Sequence, residues 1–306
     1  MVANNPIELN ERISIGVSAY GNAKTTKPCL RSILDNINGD YELLLVDDCS
    51  PDGGEINNLF EEVAKEHKNT KRFKFTKNLE YSGSLNCILS HAEGERIFFV
   101  SNDIFITPTY VQALLAVADN NSDVGIVRGR SNFVDNGKST HNIDVSKDIK
   151  HFDDITTFGK NLYSIEKNAF FAENYLTGDA FLTKREVVSK IGTFDPLFYG
   201  YFADHDYGIR VIRSGYKLAV AKGAFAYHHQ DANFDYLDKE NRDKKLNARW
   251  AKVMENWARF KLKYDLPVNL LYSSINDIDW DGLNNQQCEK DGLFIPTVNY
   301  SEYLET

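Results

Sequence analysis

Acidic side chains follow two apolar, β-rich segments of this chain at the point where each segment ends. Asp47 and Asp48 come directly after the first of these segments, and Asp103 follows the second. A carboxylate can accept hydrogen bonds from a ribose hydroxyl or a base N–H, and it can hold a divalent cation that bridges two phosphates. This pattern predicts a nucleotide ligand, with Asp48 as a nucleoside contact and Asp103 as a cation ligand.

Ordinary local structure offers an alternative interpretation of both positions. Residues 47–53 read Asp-Asp-Cys-Ser-Pro-Asp-Gly, a composition typical of a turn followed by a helix N-cap. Asp103 stands shortly before Thr107 and Pro108, which suit an N-cap and the first turn of a helix. The residues alone leave these structural roles open beside the ligand-binding ones.

A third group of acids has the chemistry of a general base. Residues 201–206 read Tyr-Phe-Ala-Asp-His-Asp, and Asp204 and Asp206 point to different sides of the helix predicted near residues 203–214. A carboxylate can take the proton of an attacking hydroxyl. The alternative is that both aspartates are first-turn acids that stabilise the helix dipole.

Aromatic residues precede these acids in the chain. Their rings could stack on the apolar face of a sugar or pack in the core, and both interpretations are open. The residues are Phe194, Phe198, Tyr199, Tyr201 and Phe202.

Two histidines, His228 and His229, follow the last predicted strand. Neighbouring side chains on an extended segment point to opposite sides, so only one of them can face a site, and we predict His228. A neutral imidazole suits Mn²⁺ better than Mg²⁺. The alternative is a pair of ordinary polar residues at a strand end.

The elements that position these residues alternate between strand and helix in the first half of the chain. Predicted strands lie at residues 13–20, 41–46, 72–76, 97–100 and 124–128, with helical patterns between them. This alternation predicts a three-layer α/β/α, Rossmann-like fold with a mainly parallel central sheet. Ligands of such sheets collect at the carboxyl ends of the strands, where the acidic residues lie.

The second half of the chain is less regular. Residues 131–173 are polar and weakly periodic, so they predict a long functional loop or an insertion. A helix at residues 236–263 places apolar side chains, Trp250, Met254 and Trp257 among them, on one face. Residues 265–306 hold eight acids against one lysine, which predicts a surface-wrapping or partly disordered arm.

Bulk composition restricts the function. A formal net charge of −9 and a pI near 5.3 disfavour a surface built to bind nucleic-acid phosphates. Because no apolar run approaches the roughly 18 residues that span a bilayer, we predict a cytoplasmic location. The helix at residues 236–263 carries nine basic residues, so contact with the inner face of an anionic membrane is an alternative to packing on the domain.

The order and spacing of several short motifs resemble family 2 of the inverting glycosyltransferases, which have the GT-A fold. The matching segments are Val-Ser-Ala-Tyr at 17–20, Val-Asp-Asp-Cys-Ser at 46–50, residues 78–86, Ala-Glu-Gly-Glu at 92–95, Ser-Asn-Asp at 101–103 with Pro108, residues 178–195 and the acidic helix at 201–210. The resemblance covers about residues 13–229. It implies transfer of a sugar from a nucleoside-diphosphate donor, most commonly UDP, to a glycan, lipid-linked or protein hydroxyl by single displacement.

The resemblance also implies roles for individual residues. The nucleotide would be bound by Ser18, Tyr20, Asp48, Asn86 and Asn102. A divalent cation, Mn²⁺ or Mg²⁺, would be held by Asp103 and His228, and Asp204 would be the catalytic base. The acceptor would be bound by Gly178, Asp179 and Tyr201. The predicted catalytic domain is residues 1–230, with a nucleotide-binding half at about 10–130 and an acceptor half at 131–230, and residues 231–306 form a C-terminal helical extension.

This sequence lacks two acids of the family pattern. Ser101 stands where the metal motif has its first acid, and Ala203 stands where the family has an acid before the base. An alternative function is therefore a catalytically inactive relative that binds a nucleotide-sugar or glycan as a scaffold. A Rossmann-type dehydrogenase or a sugar-nucleotide pyrophosphorylase needs a glycine-rich turn after the first strand, whereas residues 20–24 contain a single glycine.

Overall fold

The computed structural model describes residues 7–134, 140–229, 239–286 and 293–305. The first half contains β1 (Ile7–Ala19), α1 (Ala23–Asn36), β2 (Ile37–Asp47), α2 (Glu55–Glu66), β3 (Thr70–Lys74), α3 (Glu80–His91), β4 (Arg96–Ser101), β5 (Ile104–Ile106), α4 (Tyr110–Asn120) and β6 (Val124–Ser131). The remainder contains α5 (Phe152–Glu166), β7 (Phe170–Glu173), β8 (Ala180–Lys184), α6 (Arg185–Ile191), α7 (Ala203–Arg213), β9 (Lys217–His228), α8 (Lys239–Lys263) and α9 (Trp280–Asn285).

The strands form one mixed sheet in the order β3-β2-β1-β4-β8-β6-β9-β5, with β7 paired to β9. The half β3-β2-β1-β4 is parallel throughout, because a helix returns the chain to the same edge after each strand. β8 runs antiparallel to both β4 and β6, and β6 pairs with β9 in parallel. The predicted α/β fold with a mainly parallel sheet is confirmed.

The sheet buries both of its faces, and β2 shows how the sequence achieves this. Leu43 and Leu45 pack into the cluster that α1, α2 and α4 cover, whereas Leu44 and Val46 pack into the cluster on the opposite face. Successive side chains of a strand point to opposite faces, so an unbroken apolar run is what a strand buried on both sides requires. The helices therefore lie in layers on both sides of the sheet.

This topology brings one end of several strands to a single edge. β1, β2 and β4 run in the same direction, and β9 shares it because β8 and β6 each reverse the direction once. The carboxyl ends of these strands are therefore neighbours. The helix α7 leads back to the start of β9, so its first turn lies at the same edge.

The segment at residues 131–173, predicted as a long functional loop or an insertion, contains the helix α5 and the strand β7, and β7 pairs with β9. The capping roles that the sequence offered for Asp103 and Thr107 are wrong. Asp103 precedes β5, and the helix α4 begins only at Tyr110, so Asp103 does not cap it. Thr107 is not its N-cap either, because its hydroxyl donates to the Phe225 carbonyl at 2.7 Å.

The C-terminal residues pack on this body. In α8, Val253, Trp257 and Phe260 are buried, while Trp250 is 52% exposed and leaves the core. Further on, the side chain of Trp280 in α9 is 5% exposed, as expected for an arm that wraps the surface. The division into two domains stays a prediction. Within the described parts of the chain, no helix is long and apolar enough to cross a membrane.

Candidate active site

A pocket of about 520 Å³ opens at the carboxyl edge of the sheet. One side is formed by residues that follow β4, precede β8 and end β9, and another by the first turn of α7. A further wall comes from α8 and the residues after it. The lining includes Ser101, Asp103, Gly178, Asp179, Tyr201, Asp204, His228, Arg249, Trp250 and Tyr272.

The structure brings Asp103 and His228 together although 125 positions separate them in the sequence. Asp103 Oδ2 lies 3.4 Å from His228 Nε2, and 16% and 12% of the two side chains are exposed. The His228 ring is oriented by its other nitrogen, since Nδ1 donates to the Phe133 carbonyl at 3.1 Å. Asn132 also fixes this residue, because its amide side chain bonds both the N–H and the C=O of His228. The neighbouring His229 is exposed.

The protonation of His228 reflects the same pair. Burial alone would lower the pKa of His228, but the hydrogen bond to Asp103 and its negative charge raise the pKa to about 9. His228 is therefore a positively charged partner of Asp103. A metal cation could replace that positive charge beside Asp103.

The donor set of the Asp103–His228 pair fits a cation that the substrate completes. One carboxylate and one imidazole are too few ligands for a closed protein site, and a catalytic site leaves open positions. Among the described residues, no group of three or more His, Cys, Asp or Glu side chains is placed to hold a metal ion. A diphosphate and water would have to supply the remaining oxygens.

Asp204 lies in the first turn of α7 with both carboxylate oxygens hydrogen-bonded. Oδ1 accepts from Nδ1 of His205 at 3.0 Å and from the His205 main-chain amide at 2.9 Å. Oδ2 accepts from the Gly178 amide at 2.9 Å. Burial would raise the pKa of Asp204, but the interactions with His205 and Gly178 hold it below the ordinary value. Asp204 is therefore ionised at neutral pH.

Asp206 lies two residues further along α7 and has different surroundings. It is fully buried and accepts from Arg210 at 2.8 Å and from the Tyr264 hydroxyl at 2.7 Å. Lys263 completes the group as an ion-pair partner. Because Asp206 does not line the pocket, its role is to join α7 to the end of α8.

The segment before β8 is held close to Asp204. The Tyr81 hydroxyl donates to the Gly178 carbonyl at 2.6 Å, so Gly178 lies between Tyr81 and Asp204. The next residue, Asp179, is paired with the buried Arg128 at 2.8 Å. The pairing fixes the Asp179 carboxylate at the pocket wall, and its predicted role in acceptor binding stays a prediction.

The predicted nucleoside residues lie at the same edge, beside the pocket. Ser18 is aligned with Ser101 across β1 and β4, and Asn102 donates to Thr26 at 2.8 Å. Tyr20 follows β1 with its side chain 51% exposed. None of Ser18, Tyr20, Asn102 and Asp48 is among the residues that line the pocket itself. A ligand that reached them would extend from the pocket along the strand ends.

Asp48 is 5% exposed, and its Oδ1 accepts the Leu79 amide at 2.6 Å. Burial raises the pKa of this carboxyl to about 8. The turn and capping roles that the sequence left open belong to its neighbours. Asp47 accepts the Ser50 amide at 2.8 Å, and Asp52 accepts amides at the start of α2.

One predicted placement needs correction, and the question left open for the aromatic residues is partly answered. Asn86 is fully buried, and its amide side chain bonds both the N–H and the C=O of Phe194, so it joins α3 to the core instead of reaching a ligand. In the proposed aromatic platform, Phe194, Phe198 and Phe202 are core residues. Tyr201 and Phe202 of that group line the pocket, and Phe202 is 4% exposed.

The aromatic surface that the pocket does expose comes from a part of the chain that the sequence did not single out for the site. Trp250 on α8 stands edge-on to Tyr272, with ring centroids 5.6 Å apart, and Arg249 lies beside them. The sequence predicted the apolar face of α8. It did not predict which aromatic side chains of that face lie outside the core.

Comparisons with known proteins agree with this geometry. The model of the glycosyl transferase family 2 matches residues 14–192, more than half of the chain. A segment of 119 residues is 29% identical to the poly(ribitol-phosphate) beta-N-acetylglucosaminyltransferase TarP of Staphylococcus aureus (strain N315) and covers 37% of this chain and 35% of TarP. The chain thus corresponds to about a third of the length of that relative.

Solved structures of glycosyltransferases share the fold. The mannosyltransferase PcManGT of Pyrobaculum calidifontis, in complex with GDP-Man and Mn²⁺, has a TM-score of 0.51 at 18% identity and covers 72% of this chain and 57% of that one. S. aureus TarS 1–349 in complex with UDP-GlcNAc has a TM-score of 0.51 at 17% identity, covering 76% and 63%. The GT-A fold class predicted from the sequence is confirmed.

Proposed function

This chain belongs to glycosyl transferase family 2, and we propose that it transfers a sugar from a nucleoside-diphosphate donor to a hydroxyl of a carbohydrate-type acceptor with inversion. The observation that carries the proposal is the presence of two chemical elements in one pocket. The Asp103–His228 pair suits a diphosphate-bound cation, and Asp204 is an ionised carboxylate suited to accept a proton. Structural relatives with GDP-Man and Mn²⁺ or with UDP-GlcNAc support this class of donor.

The reaction follows from these two elements. The acceptor oxygen attacks the anomeric carbon while its proton passes to Oδ2 of Asp204. The bond between the anomeric carbon and the diphosphate oxygen breaks, and its electron pair stays on the diphosphate. Attack from the face opposite the leaving group inverts the anomeric centre.

Charge develops on the leaving diphosphate and must be stabilised. Asp103 and His228 would hold Mn²⁺ or Mg²⁺, which supplies that positive charge when bound. The nucleoside would lie along the strand ends, with Ser18, Tyr20, Asp48 and Asn102 as its neighbours. In this proposal Asp48 would accept a hydrogen bond from a ribose hydroxyl or a base N–H.

The acceptor would bind against α8. Sugars present apolar C–H faces to aromatic rings, and Trp250, Tyr272 and Tyr201 offer such rings on one side of the pocket. TarP is named as a beta-N-acetylglucosaminyltransferase of poly(ribitol-phosphate), a polymer. We propose that an extended glycan or polyol chain lies along this wall, with Gly178 supporting the base from the opposite side.

A second candidate is a binding protein without catalysis. It is favoured by Ser101 and Ala203, which replace two acids of the family pattern. Nucleotide binding alone does not separate the two candidates, whereas turnover of the donor does. An inactive relative should release no nucleoside diphosphate from any donor.

The first experiment is a thermal-shift panel of GDP, UDP and their sugars with and without Mn²⁺, followed by a donor-hydrolysis assay with the best ligand. A ligand at a hundred times its dissociation constant should stabilise the fold by about 2.7 kcal/mol. We expect one nucleotide class to give a Mn²⁺-dependent shift and its sugar donor to be hydrolysed slowly. A shift without hydrolysis or transfer would support the binding protein instead.

A further inference from the structure

We propose that His205 is a positioning residue for Asp204, and that an aromatic box closed by the C-terminal extension holds the His205 ring in place. The proposal rests on the proposed function, because it assigns a partner to the residue proposed as the base. The family resemblance implies no role for His205.

The first support is the hydrogen bonding of the Asp204 carboxylate. Oδ1 accepts from both the Nδ1 and the main-chain amide of His205, and Oδ2 accepts from the Gly178 amide. A carboxylate oxygen has about two lone pairs, so Oδ1 is fully occupied and Oδ2 has one left. His205 thereby leaves Oδ2 as the oxygen that can receive the acceptor proton.

The second support is the surroundings of the ring. The His205 side chain is 6% exposed and stacks on Tyr175, with centroids 5.6 Å apart and planes 6° apart. Phe202 lies 5.5 Å away, Trp280 5.4 Å and Phe260 6.4 Å, measured between ring centroids. Phe260 belongs to α8 and Trp280 to α9, so the extension completes this box.

The third support is a polar atom that the box leaves unpaired. Among the described residues, Nε2 of His205 is buried and has no hydrogen-bond partner. An unpaired polar atom in apolar surroundings costs free energy that a phenylalanine would avoid. Unlike a phenylalanine, a histidine at this position donates a hydrogen bond from Nδ1 to Asp204. Because a carboxylate can only accept, Nδ1 carries the proton.

Two substitutions separate positioning from packing. His205→Phe keeps a ring in the box and removes the side-chain donor to Asp204, while the main-chain amide donor remains. His205→Asn keeps an amide donor near the Nδ1 position and loses most of the ring packing. If His205 positions Asp204, His205→Phe should lower kcat about a hundredfold with little change in the acceptor KM or in nucleotide affinity. His205→Asn should retain clearly more kcat than His205→Phe, although it melts at a lower temperature.

The opposite order would overturn the proposal. A purely structural His205 predicts an active, stable His205→Phe and an inactive His205→Asn. A second readout needs no turnover: in ¹⁵N-histidine-labelled protein, the Nδ1 proton assigned through His205→Asn should be slow to exchange, and Asp204→Ala should abolish that protection. A rapidly exchanging Nδ1 proton in the wild type contradicts the positioning role. Absence of any sugar transfer contradicts the proposed function.

Discussion

The main-chain amide of Gly178 donates a hydrogen bond to Oδ2 of Asp204 across 2.9 Å, and the Gly178 carbonyl accepts one from Tyr81 at 2.6 Å. The segment before β8 is therefore fixed between α3 and the first turn of α7. This contact links the part of the chain that matches the family model to Asp204, which lies beyond it.

Gly178→Ala should move residue 178 away from Tyr81 and Asp204. A Cβ at this position would lie 2.1 Å from the Tyr81 hydroxyl oxygen and 3.0 Å from Asp204 Cβ, so both neighbours must move. We expect a loss of about 1–3 kcal/mol in the free energy of unfolding and a fall in kcat of roughly a hundredfold, with nucleotide affinity retained.

Gly200→Ala is the matched control for this substitution. A Cβ there would meet only Glu80 Oε2 at 3.5 Å, an ordinary contact. Chemical denaturation and steady-state kinetics of both variants test the idea. If Gly178→Ala and Gly200→Ala changed the free energy of unfolding and kcat equally, the close contacts of Gly178 would not be required for stability or catalysis.

Asp103→Asn and His228→Ala should each weaken Mn²⁺-dependent nucleotide binding by more than about tenfold, or 1.4 kcal/mol. Each substitution removes one ligand of the proposed cation. Nucleotide binding without Mn²⁺ should change little. Calorimetric titrations with and without Mn²⁺ measure the difference. His229→Ala is the control, because His229 is the neighbouring exposed histidine. An unchanged Mn²⁺ response in both site variants would remove this pair from the metal site.

Trp250→Ala should raise the acceptor KM about 3- to 10-fold, since an aromatic stacking contact contributes roughly 0.5–1.5 kcal/mol. Hydrolysis of the donor without acceptor should stay at the wild-type rate. Met254→Ala, one turn further along α8 and 48% exposed, serves as the control. If both variants bound acceptor as well as the wild type, the acceptor would have to lie on another wall.

Asp206→Asn should destabilise the fold without a specific effect on catalysis. The substitution leaves Arg210 and Lys263 without their buried carboxylate, and breaking a buried ion pair costs about 3–5 kcal/mol. Asp123→Asn, which removes an exposed pair with Lys217, should cost far less. Urea unfolding of the two variants measures the contrast. Comparable losses would mean that the buried network contributes no more than a surface pair.

The ion pairs of Asp206 should also affect how the free energy of unfolding depends on pH. Burial would raise the pKa of Asp206, but Arg210 and Lys263 hold it below its ordinary value of 3.8. Because the folded pKa lies below the unfolded one, the stabilisation is complete above the unfolded value and is lost as the pH falls through the folded one. Below about pH 4 the wild type should therefore lose stability faster than Asp206→Asn.

The sequence is most informative about structure that depends on residues close together in the chain. Strands such as β2 and the helices between them leave short periodic signals, and the alternation of the two fixes the parallel half of the sheet. The pairing of Asp103 with His228 was implied by the family resemblance, and the sheet accounts for it because residues that follow parallel strands meet at one edge. The family resemblance then added the residue positions.

Contacts between residues far apart in the sequence could not be predicted. Trp250 and Trp257 lie on the same predicted face of α8, yet the structure buries one and leaves the other 52% exposed, since the helix passes the edge of the core between them. Asn86 was assigned to a ligand, whereas its amide bonds the backbone of Phe194, 108 residues away. The box around His205 likewise joins residues from 175 to 280, which no local pattern connects.

The most direct test of the account is Asp204→Asn, assayed for sugar transfer and for nucleotide binding in parallel. The amide has nearly the same shape as the carboxylate but cannot accept the acceptor proton. We predict that transfer falls by at least about a hundredfold, since a positioned general base contributes roughly 10²–10⁴ in rate, while the Mn²⁺-dependent affinity for nucleotide changes less than about twofold. Transfer by Asp204→Asn at the wild-type rate would contradict the central claim that this carboxylate is the base.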